Sequence, residues 1–296
     1  MKAPTPPSHH IKAVIRSALK EDLPYGDATT DVLFQEAVYA QATIVAHEEM
    51  TLAGVIVANQ VFKEIDPSLK IKISCKDGET VKPNTILFTI EGDARKILKG
   101  ERVALNFLQH LSGISTLTAR FCKAVKGHST KILDTRKTIP GFRLLQKWAV
   151  RLGGGSNHRY SLSDGILIKD NHLTLLQSRG IGPEEACHIS QKYSPHHLKI
   201  TVEAETLEQV RMALKGQPDV ILLDNMTPKM VVQAVNLING RALVEVSGGI
   251  NLQNVRHMAA AGADFISIGS LTHSAPAMNI SLKVSKSQRR NRRSAK

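Results

Sequence analysis

The sequence has few cysteines and no long apolar run. Its 296 residues contain three cysteines, Cys75, Cys122 and Cys187. Because they are odd in number and far apart, they form neither a disulfide framework nor a CxxC metal site, and we interpret them as reduced, small apolar residues. No apolar run approaches the roughly 20 residues of a membrane span, and the N-terminus lacks the apolar segment of a secretory signal. We therefore predict a cytoplasmic protein without membrane association.

Aromatic residues are also scarce, at 4% of the chain. Aromatic side chains are the stacking platforms of many nucleic-acid-binding proteins, so their scarcity argues against that class. The net charge of +13 argues for it, and salt-sensitive nucleic-acid binding through the C-terminal tail is kept as an alternative of low weight. The hydrophobic fraction of 42% is sufficient for one or two domains with ample cores.

Positive charge is concentrated at the C-terminus. Residues 285–296 hold six lysines and arginines, and without them the net charge is 13 − 6 = +7. The segment has no apolar residue larger than alanine, which predicts a disordered basic tail. The simplest interpretation is a solvated extension; the alternatives are contact with nucleic acid or acidic lipid, or a nuclear address. The remaining +7 suggests a site that handles anions.

The first part of the chain, residues 1–116, mixes helices and strands. Apolar spacing predicts a helix over 9–20 and a long helix that begins near Arg95. Between them, short runs at 41–48, 69–81 and 85–92 are typical of strands of a half-exposed sheet. We predict that this part forms one domain and that the last residues before 285 pack back on it.

From residue 117 to residue 284 the pattern changes, and short apolar runs alternate with amphipathic helical segments. This alternation predicts a parallel sheet with helices outside it. Nearly every run ends in polar residues, which favours an α/β barrel over a doubly wound sheet, because barrel strands all deliver their C-terminal ends to one active-site face. The six runs are 131–135, 165–171, 199–205, 219–225, 242–249 and 265–270.

The residues at these strand ends are ordered by type: cations first, carboxylates next, glycines last. Glycine turns offer backbone N–H groups to a phosphate, paired carboxylates can hold Mg²⁺ through its waters, and arginines bind carboxylates bidentately. We therefore predict one cavity for a phosphorylated sugar, a metal and a compound with several carboxylates. Each residue alone has an ordinary structural explanation, so the prediction depends on the whole set. The set is Arg136, Lys137, His158, Arg159, Lys169, Glu203, Asp224, Ser247, Gly248, Gly249, Gly269 and Ser270.

Several motifs occur in order between about residues 10 and 284: "EDLPYGDATT", "ERVALN", "DTRKTIPG", "SNHR", "IKDNH", "VEVSGGI" and "SIGSLTHSAP". Together they resemble the quinolinate phosphoribosyltransferase family. The resemblance implies an N-terminal α/β sandwich followed by an incomplete α/β barrel. It also implies a Mg²⁺-dependent reaction of quinolinate with phosphoribosyl pyrophosphate, giving nicotinate mononucleotide, pyrophosphate and CO₂ for NAD biosynthesis. A ModD-like transferase of the same fold with another acceptor is the alternative.

The resemblance also assigns roles to residues. It implies a homodimer or higher homo-oligomer in which Arg102 of one subunit enters the neighbour's site. The family usually has glycine where this chain has Ser161, a change that we expect only to shift the loop. The implied catalytic residues are Lys137, Lys169, Glu203 and Asp224, with the two carboxylates at the ribose and the metal. The implied substrate-binding residues are Arg102, Arg136, Thr138, His158, Arg159, Ser247, Gly248, Gly249, Gly269, Ser270 and His273.

Overall fold

The computed structural model describes residues 4–286. The helices are α1 Ser8–Asp22, α2 Ala28–Leu33, α3 Val55–Ile65, α4 Ala94–Ala124, α5 Arg143–Leu152, α6 Asp170–Gln177, α7 Pro183–Tyr193, α8 Leu207–Lys215, α9 Pro228–Ile238, α10 Val255–Ala260 and α11 Ser270–His273. The strands are β1 Tyr39–Ala46, β2 Met50–Thr51, β3 Lys70–Ile73, β4 Thr80–Val81, β5 Ile86–Asp93, β6 Lys131–Leu133, β7 Ile166–Ile168, β8 Ile200–Ala204, β9 Val220–Asp224, β10 Leu243–Ser247, β11 Phe265–Ser267 and β12 Ile280–Lys286. Within residues 4–286, no helix is both long and apolar enough to cross a membrane.

The chain divides into two compact units. Within the described residues, the first unit comprises 4–116, 144–153 and 275–286, and the second comprises 117–143 and 154–274. Residues 275–286 belong to the first unit, as predicted for the last residues, whereas residues 144–153 were predicted in the second. The boundary itself falls inside α4, a helix of 31 residues.

The first unit contains a four-stranded antiparallel sheet in the order β12-β1-β5-β3 and a small β2-β4 pair. Strand β1 alternates buried and less buried residues, as expected for a strand with one face on a core. Its buried positions hold only apolar side chains, of which Ile44 is fully buried. The predicted helix over 9–20 is confirmed as α1.

The C-terminal strand β12 corrects the predicted start of the tail. Ser285 and Lys286, which we assigned to a disordered segment, are the last residues of β12 and pair with Gln41 and Ala40 of β1. The backbone ladder extends the strand beyond the point where the apolar pattern ends. The remainder of the predicted tail, 287–296, lies outside the described residues.

Helix α5 lies within the range predicted as the barrel part, 117–284, but its residues 144–153 belong to the first unit. The helix is buried on several faces, including Leu145, Trp148 and Val150. Nε2 of Gln146 lies 2.9 Å from Nε2 of His110 in α4. Amphipathic spacing indicates that a helix has an apolar face, but it does not indicate which core that face contacts.

The second unit contains the six predicted strands in one parallel sheet of order β6-β11-β10-β9-β8-β7. A complete barrel of this class has eight strands, so the sheet is an incomplete barrel with β6 and β7 at its two edges. The predictions of a parallel sheet and of an incomplete α/β barrel are confirmed.

Short capped turns follow the central strands of this sheet. After β8, the Thr206 hydroxyl accepts from the Gln209 backbone N–H, and the Gln209 side chain accepts from the Thr206 N–H. After β9, Thr227 caps α9 and Pro228 occupies its first turn. Because each helix begins within a few residues of the strand, the C-terminal residues of β8 and β9 are held at one end of the sheet.

Candidate active site

A cavity of about 650 Å³ lies at the C-terminal ends of the barrel strands, and all of its lining residues belong to the second unit. Cations, carboxylates and glycine turns meet there, as the order of the strand ends predicted. The predicted site residues that line it are Arg136, Lys137, His158, Arg159, Lys169, Glu203, Asp224, Ser247, Gly248, Gly249, Gly269, Ser270 and His273.

Along β9 and β10, and from β7 to the residue that follows it, the residues that line the cavity are two positions apart. Lys169 follows Leu167 by two residues, and Asp224 follows Leu222 by two. Successive side chains of a strand point to opposite faces, so one phase of every strand faces the barrel interior. This phase puts Lys169 and Asp224 at the C-terminal ends of their strands, two positions after the apolar Leu167 and Leu222.

Two arginines form a strongly cationic wall. Burial and the neighbouring Arg136 both lower the pKa of Arg159, and Asp164 only partly opposes them. Nε of Arg136 is buried and has no hydrogen-bond partner in the described part of the chain. Like charges held close together are stabilised by an anion between them, so this wall fits a ligand that carries carboxylates.

The opposite chemistry is found at β8 and β9. Glu203 is buried, and its Oε2 lies 3.1 Å from Nζ of the half-exposed Lys169. Burial raises the pKa of Glu203, the ion pair with Lys169 opposes this shift, and the charge of Asp224 adds to it. Asp224 accepts a hydrogen bond of 2.8 Å from Nδ2 of Asn225. These carboxylates give the cavity a negative patch beside its cations.

The turn after β10 requires glycine for two separate reasons. Gly248 has φ +88°, a value that side-chain-bearing residues rarely adopt. A Cβ at this position would also lie 2.1 Å from Oδ1 of Asn225. Gly249, with φ +62°, continues the turn. The backbone therefore approaches Asn225 closely and leaves its N–H groups beside the cavity, an arrangement suited to phosphate.

Two predicted site residues do not line the cavity. Thr138 accepts a 2.9 Å hydrogen bond from Nε of Arg143, whose Nη1 donates to the Tyr160 carbonyl. Thr138 thus supports the loop after β6. Arg102 is exposed on α4 of the first unit, and its predicted role remains a prediction.

The Ser161 hydroxyl, at the position where the family usually has glycine, lies 2.9 Å from the Ser163 hydroxyl.

The loop 156–159 lies across the gap between the edge strands β6 and β7. Ser156 forms a parallel bridge with Leu133 at the end of β6. The Asp134 carboxylate accepts from Nδ2 of Asn157 at 2.6 Å and from the His158 backbone N–H at 2.9 Å. Nη1 of Arg159 donates to the Gly165 carbonyl, just before β7, at 2.8 Å. The loop, which carries Arg159, thus contacts the chain at the ends of both edge strands.

Sequence reasoning missed other residues that line the cavity. Glu245 stands two residues before Ser247 on β10 and therefore faces the same side of the strand. This phase was the signal that could have identified it. The missed polar residues are Thr135, Glu245 and Ser267, and the missed apolar ones are Leu167, Leu222, Ile250 and Ile268.

The donor set bears on the predicted Mg²⁺. Within residues 4–286 there is no group of three or more His, Cys, Asp or Glu residues that could hold a metal ion. Glu203 and Asp224 are close enough for the charge of one to raise the pKa of the other, and both line the cavity. Mg²⁺ usually keeps several waters and binds one or two carboxylates together with substrate phosphates. The two carboxylates fit that mode and not an all-protein cage.

The fold and the cavity define a two-unit α/β protein whose incomplete barrel carries a candidate site with charges suited to an anionic ligand. Two family models match the chain, described as the N-terminal domain of quinolinate phosphoribosyl transferase over residues 27–112 and its C-terminal domain over residues 114–283. The chain belongs to the quinolinate phosphoribosyltransferase family.

Individual relatives agree in sequence and in structure. A Bacillus subtilis protein named as a probable nicotinate-nucleotide pyrophosphorylase (carboxylating) is 38% identical, and the match covers 93% of each chain. A mitochondrial quinolinate phosphoribosyltransferase (decarboxylating) of Nicotiana tabacum is 39% identical over 96% of this chain and 85% of the relative. The structure of the Francisella tularensis nicotinate-nucleotide pyrophosphorylase superposes with a TM-score of 0.89 at 36% identity, covering 96% of this chain and 99% of that one.

Proposed function

We propose that this protein is a decarboxylating quinolinate phosphoribosyltransferase of NAD biosynthesis. The reaction joins quinolinate to phosphoribosyl pyrophosphate and releases pyrophosphate and CO₂. The observation that carries the proposal is the cavity of the second unit, where the arginine wall faces carboxylates and glycine turns. The arginines suit a substrate with carboxylates and the glycine turns suit one with a phosphate, and the chain belongs to the matching family.

Substrate binding follows from the charge arrangement. Arg136 and Arg159 would bind the two carboxylates of quinolinate, since a guanidinium forms paired, charge-assisted hydrogen bonds with a carboxylate. The turn at Gly248 and Gly249 and the backbone at Gly269 would bind the 5-phosphate of the sugar through N–H groups. This arrangement directs the ring nitrogen of quinolinate towards the sugar carbon that carries pyrophosphate.

Charge stabilisation would then drive the transfer. Departure of pyrophosphate leaves an oxocarbenium-like ribose, which the buried Glu203 carboxylate and Asp224 stabilise electrostatically. Lys137 and Lys169 offset the negative charge of the departing group. Glycosylation makes the pyridine nitrogen cationic, so loss of the adjacent carboxylate as CO₂ leaves a stabilised ylide. The ylide carbon then takes a proton from solvent to give nicotinate mononucleotide. That step needs positioning and exclusion of water more than a strong base.

Magnesium enters the proposal through Glu203 and Asp224, which would hold it by way of its waters. When bound, Mg²⁺ neutralises charge on pyrophosphate. Removing it with a chelator should abolish turnover, and added Mg²⁺ should restore it. Full turnover in the presence of excess chelator would contradict this part of the proposal.

The activity test is direct. Purified protein, quinolinate, phosphoribosyl pyrophosphate and Mg²⁺ should yield nicotinate mononucleotide and CO₂ in equal amounts. Nicotinate, which lacks one carboxylate, should be a poor acceptor because one arginine would then be left without its partner. No product, under conditions in which an authentic enzyme works, would refute the proposal. Efficient turnover of another acceptor would favour the ModD-like alternative.

The assembly proposal concerns Arg102. In the proposed homodimer, Arg102 of one subunit completes the site of the other. Arg102→Ala and Lys137→Ala should each lose activity, and an equal mixture of the two should recover part of it, because hybrid dimers contain one intact site. No recovery after demonstrated subunit exchange would argue against a shared site.

The compartment remains a proposal as well. We propose a cytoplasmic protein, although relatives in Nicotiana and Arabidopsis are named as mitochondrial and chloroplastic. Fractionation of source cells with antibody detection would decide between cytoplasm and organelle.

A further inference from the structure

Glu245 is a carboxylate where a barrel normally has a hydrocarbon. It is 3% exposed and lies within β10, at an interior position that barrels usually fill with bulky branched residues. Its Oε1 accepts a hydrogen bond from Oγ of Ser267 and lies 3.4 Å from Nε2 of His158. Burying a carboxylate costs free energy unless it is hydrogen-bonded, so we looked for a function that explains Glu245 at this position.

The imidazole of His158 is held by both of its nitrogens. Nδ1 accepts a 2.8 Å hydrogen bond from the backbone N–H of Arg159. That contact uses the lone pair of Nδ1, so the proton of the neutral ring resides on Nε2, which faces the Glu245 carboxylate. The surroundings therefore select one tautomer, with the acceptor nitrogen towards Arg159 and the donor nitrogen towards Glu245.

This contact attaches the loop 156–159 to the barrel interior. Asp134 after β6 accepts from the His158 backbone N–H, and the Gly165 carbonyl before β7 accepts from Nη1 of Arg159. A further contact runs from Glu245 through the His158 ring to the Arg159 backbone. Because β10 is a central strand of the sheet, this path links Arg159 to a rigid element.

We propose that Glu245 is a positioning residue for the acceptor: it holds His158 in the Nε2–H tautomer and thereby places Arg159 to bind a carboxylate of the substrate. The inference rests on the proposed function for the identity of that substrate. Glu245 itself does not touch the reacting atoms. Its effect should appear in acceptor binding and not in binding of the phosphorylated sugar.

Steady-state kinetics of Glu245→Ala and Glu245→Gln test this division. We expect Glu245→Ala to raise the KM for quinolinate about tenfold or more, the size expected for a lost hydrogen bond to a charged group. Glutamine can still accept from Nε2, so Glu245→Gln should raise it only about threefold. In both variants the KM for phosphoribosyl pyrophosphate should stay within about twofold. Equal rises in both KM values, or an unchanged KM for quinolinate, would overturn the proposal.

Glu91→Gln is the matched control. Glu91 is a strand glutamate of the first unit, hydrogen-bonded to Nε2 of Gln41 at 3.0 Å, and it does not line the cavity. The same chemical change there should leave the KM for quinolinate unaltered. If Glu91→Gln raises this KM as much as Glu245→Gln does, the effect is a general consequence of removing a strand carboxylate, and positioning is refuted.

A double-mutant cycle tests whether Glu245 acts through the imidazole. In a His158→Ala background, Glu245→Gln should have no further effect on the KM for quinolinate, since the path to Arg159 is already broken. Multiplicative effects of the two changes would mean that Glu245 acts by another route.

Two measurements separate this inference from the proposed function. Calorimetry of quinolinate binding, without the second substrate, should show weaker binding to Glu245→Gln than to the wild type. Ring ¹⁵N NMR, with His158→Ala to assign the signal, should show the Nε2–H tautomer in the wild type. Binding without turnover would defeat the proposed function alone, whereas a wild-type His158 protonated on Nδ1 would defeat the positioning role even in an active enzyme.

Discussion

In both sheets alternate residues of a strand face inward, but the inward-facing residues differ in kind between the two. In β1 of the first unit, the buried phase holds only apolar side chains, including Ala42 and Ile44. In the barrel sheet of the second unit, the interior phase ends in charged groups such as Lys169, Glu203 and Asp224. Substitutions in the inward phase should therefore change stability in one sheet and chemistry in the other.

The largest effect is expected at Glu203. Glu203→Gln keeps the size of the side chain but removes the charge that faces the proposed oxocarbenium-like ribose. We expect kcat to fall about 1,000-fold, equivalent to about 4 kcal/mol, without loss of folding. Single-turnover product formation and thermal unfolding would be measured together. If the variant stays active but unfolds at a lower temperature than the wild type, Glu203 contributes to stability and not to catalysis. The proposed difference between the two sheets would then be wrong.

The converse substitution is Ile44→Ala in β1. Ile44 is fully buried between Phe88 of β5 and Leu282 of β12 in register. Truncating it should lower the free energy of unfolding by about 3 kcal/mol, because it removes buried methyl groups and leaves a cavity. Below the unfolding transition, kcat and both KM values should equal those of the wild type. Chemical denaturation gives the first quantity, and a large change in kcat at low temperature would contradict the proposed separation.

Gly248 and Gly240 both have positive φ values, so substituting each of them separates the cost of the backbone conformation from an effect on the site. Gly248→Ala places a Cβ 2.1 Å from Asn225 at a φ of +88°, whereas Gly240, with φ +72°, has no atom within 4 Å of its Cβ position. Both substitutions carry the backbone cost, about 1 kcal/mol. Only Gly248→Ala should also raise the KM for phosphoribosyl pyrophosphate, by about 30-fold, or about 2 kcal/mol. If Gly248→Ala and Gly240→Ala have equal KM values for phosphoribosyl pyrophosphate, the turn at Gly248 does not bind the phosphate.

Much of the barrel could be predicted because its information is local. Each strand is a short apolar run, and a charged residue either ends the strand, as Asp224 does, or follows it directly, as Lys169 does. Parallel connections then bring all of these ends to one face. This reasoning requires no knowledge of long-range contacts, which is why the strands and the cavity were both expected.

The remaining features depend on contacts that local patterns do not contain. Helix α5 has the spacing of any amphipathic helix, so its assignment to the first unit could not be predicted. Thr138 lies in a recognisable motif, yet it follows the strand by several residues, where alternation no longer gives direction. Glu245 interrupts an apolar strand, and its role depends on His158, 87 positions earlier in the chain (245 − 158).

The smallest expected effect concerns the pH dependence of stability at Glu203. Burial raises the pKa of this carboxyl above its ordinary value of 4.5, so the folded state retains the proton at a pH where the unfolded chain has lost it. The folded state then binds more protons than the unfolded state between 4.5 and the raised pKa, and stability must fall as pH rises through that window. Glu203→Gln lacks this titration. The unfolding midpoint of the wild type should therefore rise relative to that of Glu203→Gln as the pH is lowered from 7 towards 4.5. A difference that does not vary with pH would mean that the ion pair with Lys169 balances the effect of burial on the pKa of Glu203. A change in the opposite direction would mean that the ion pair outweighs burial.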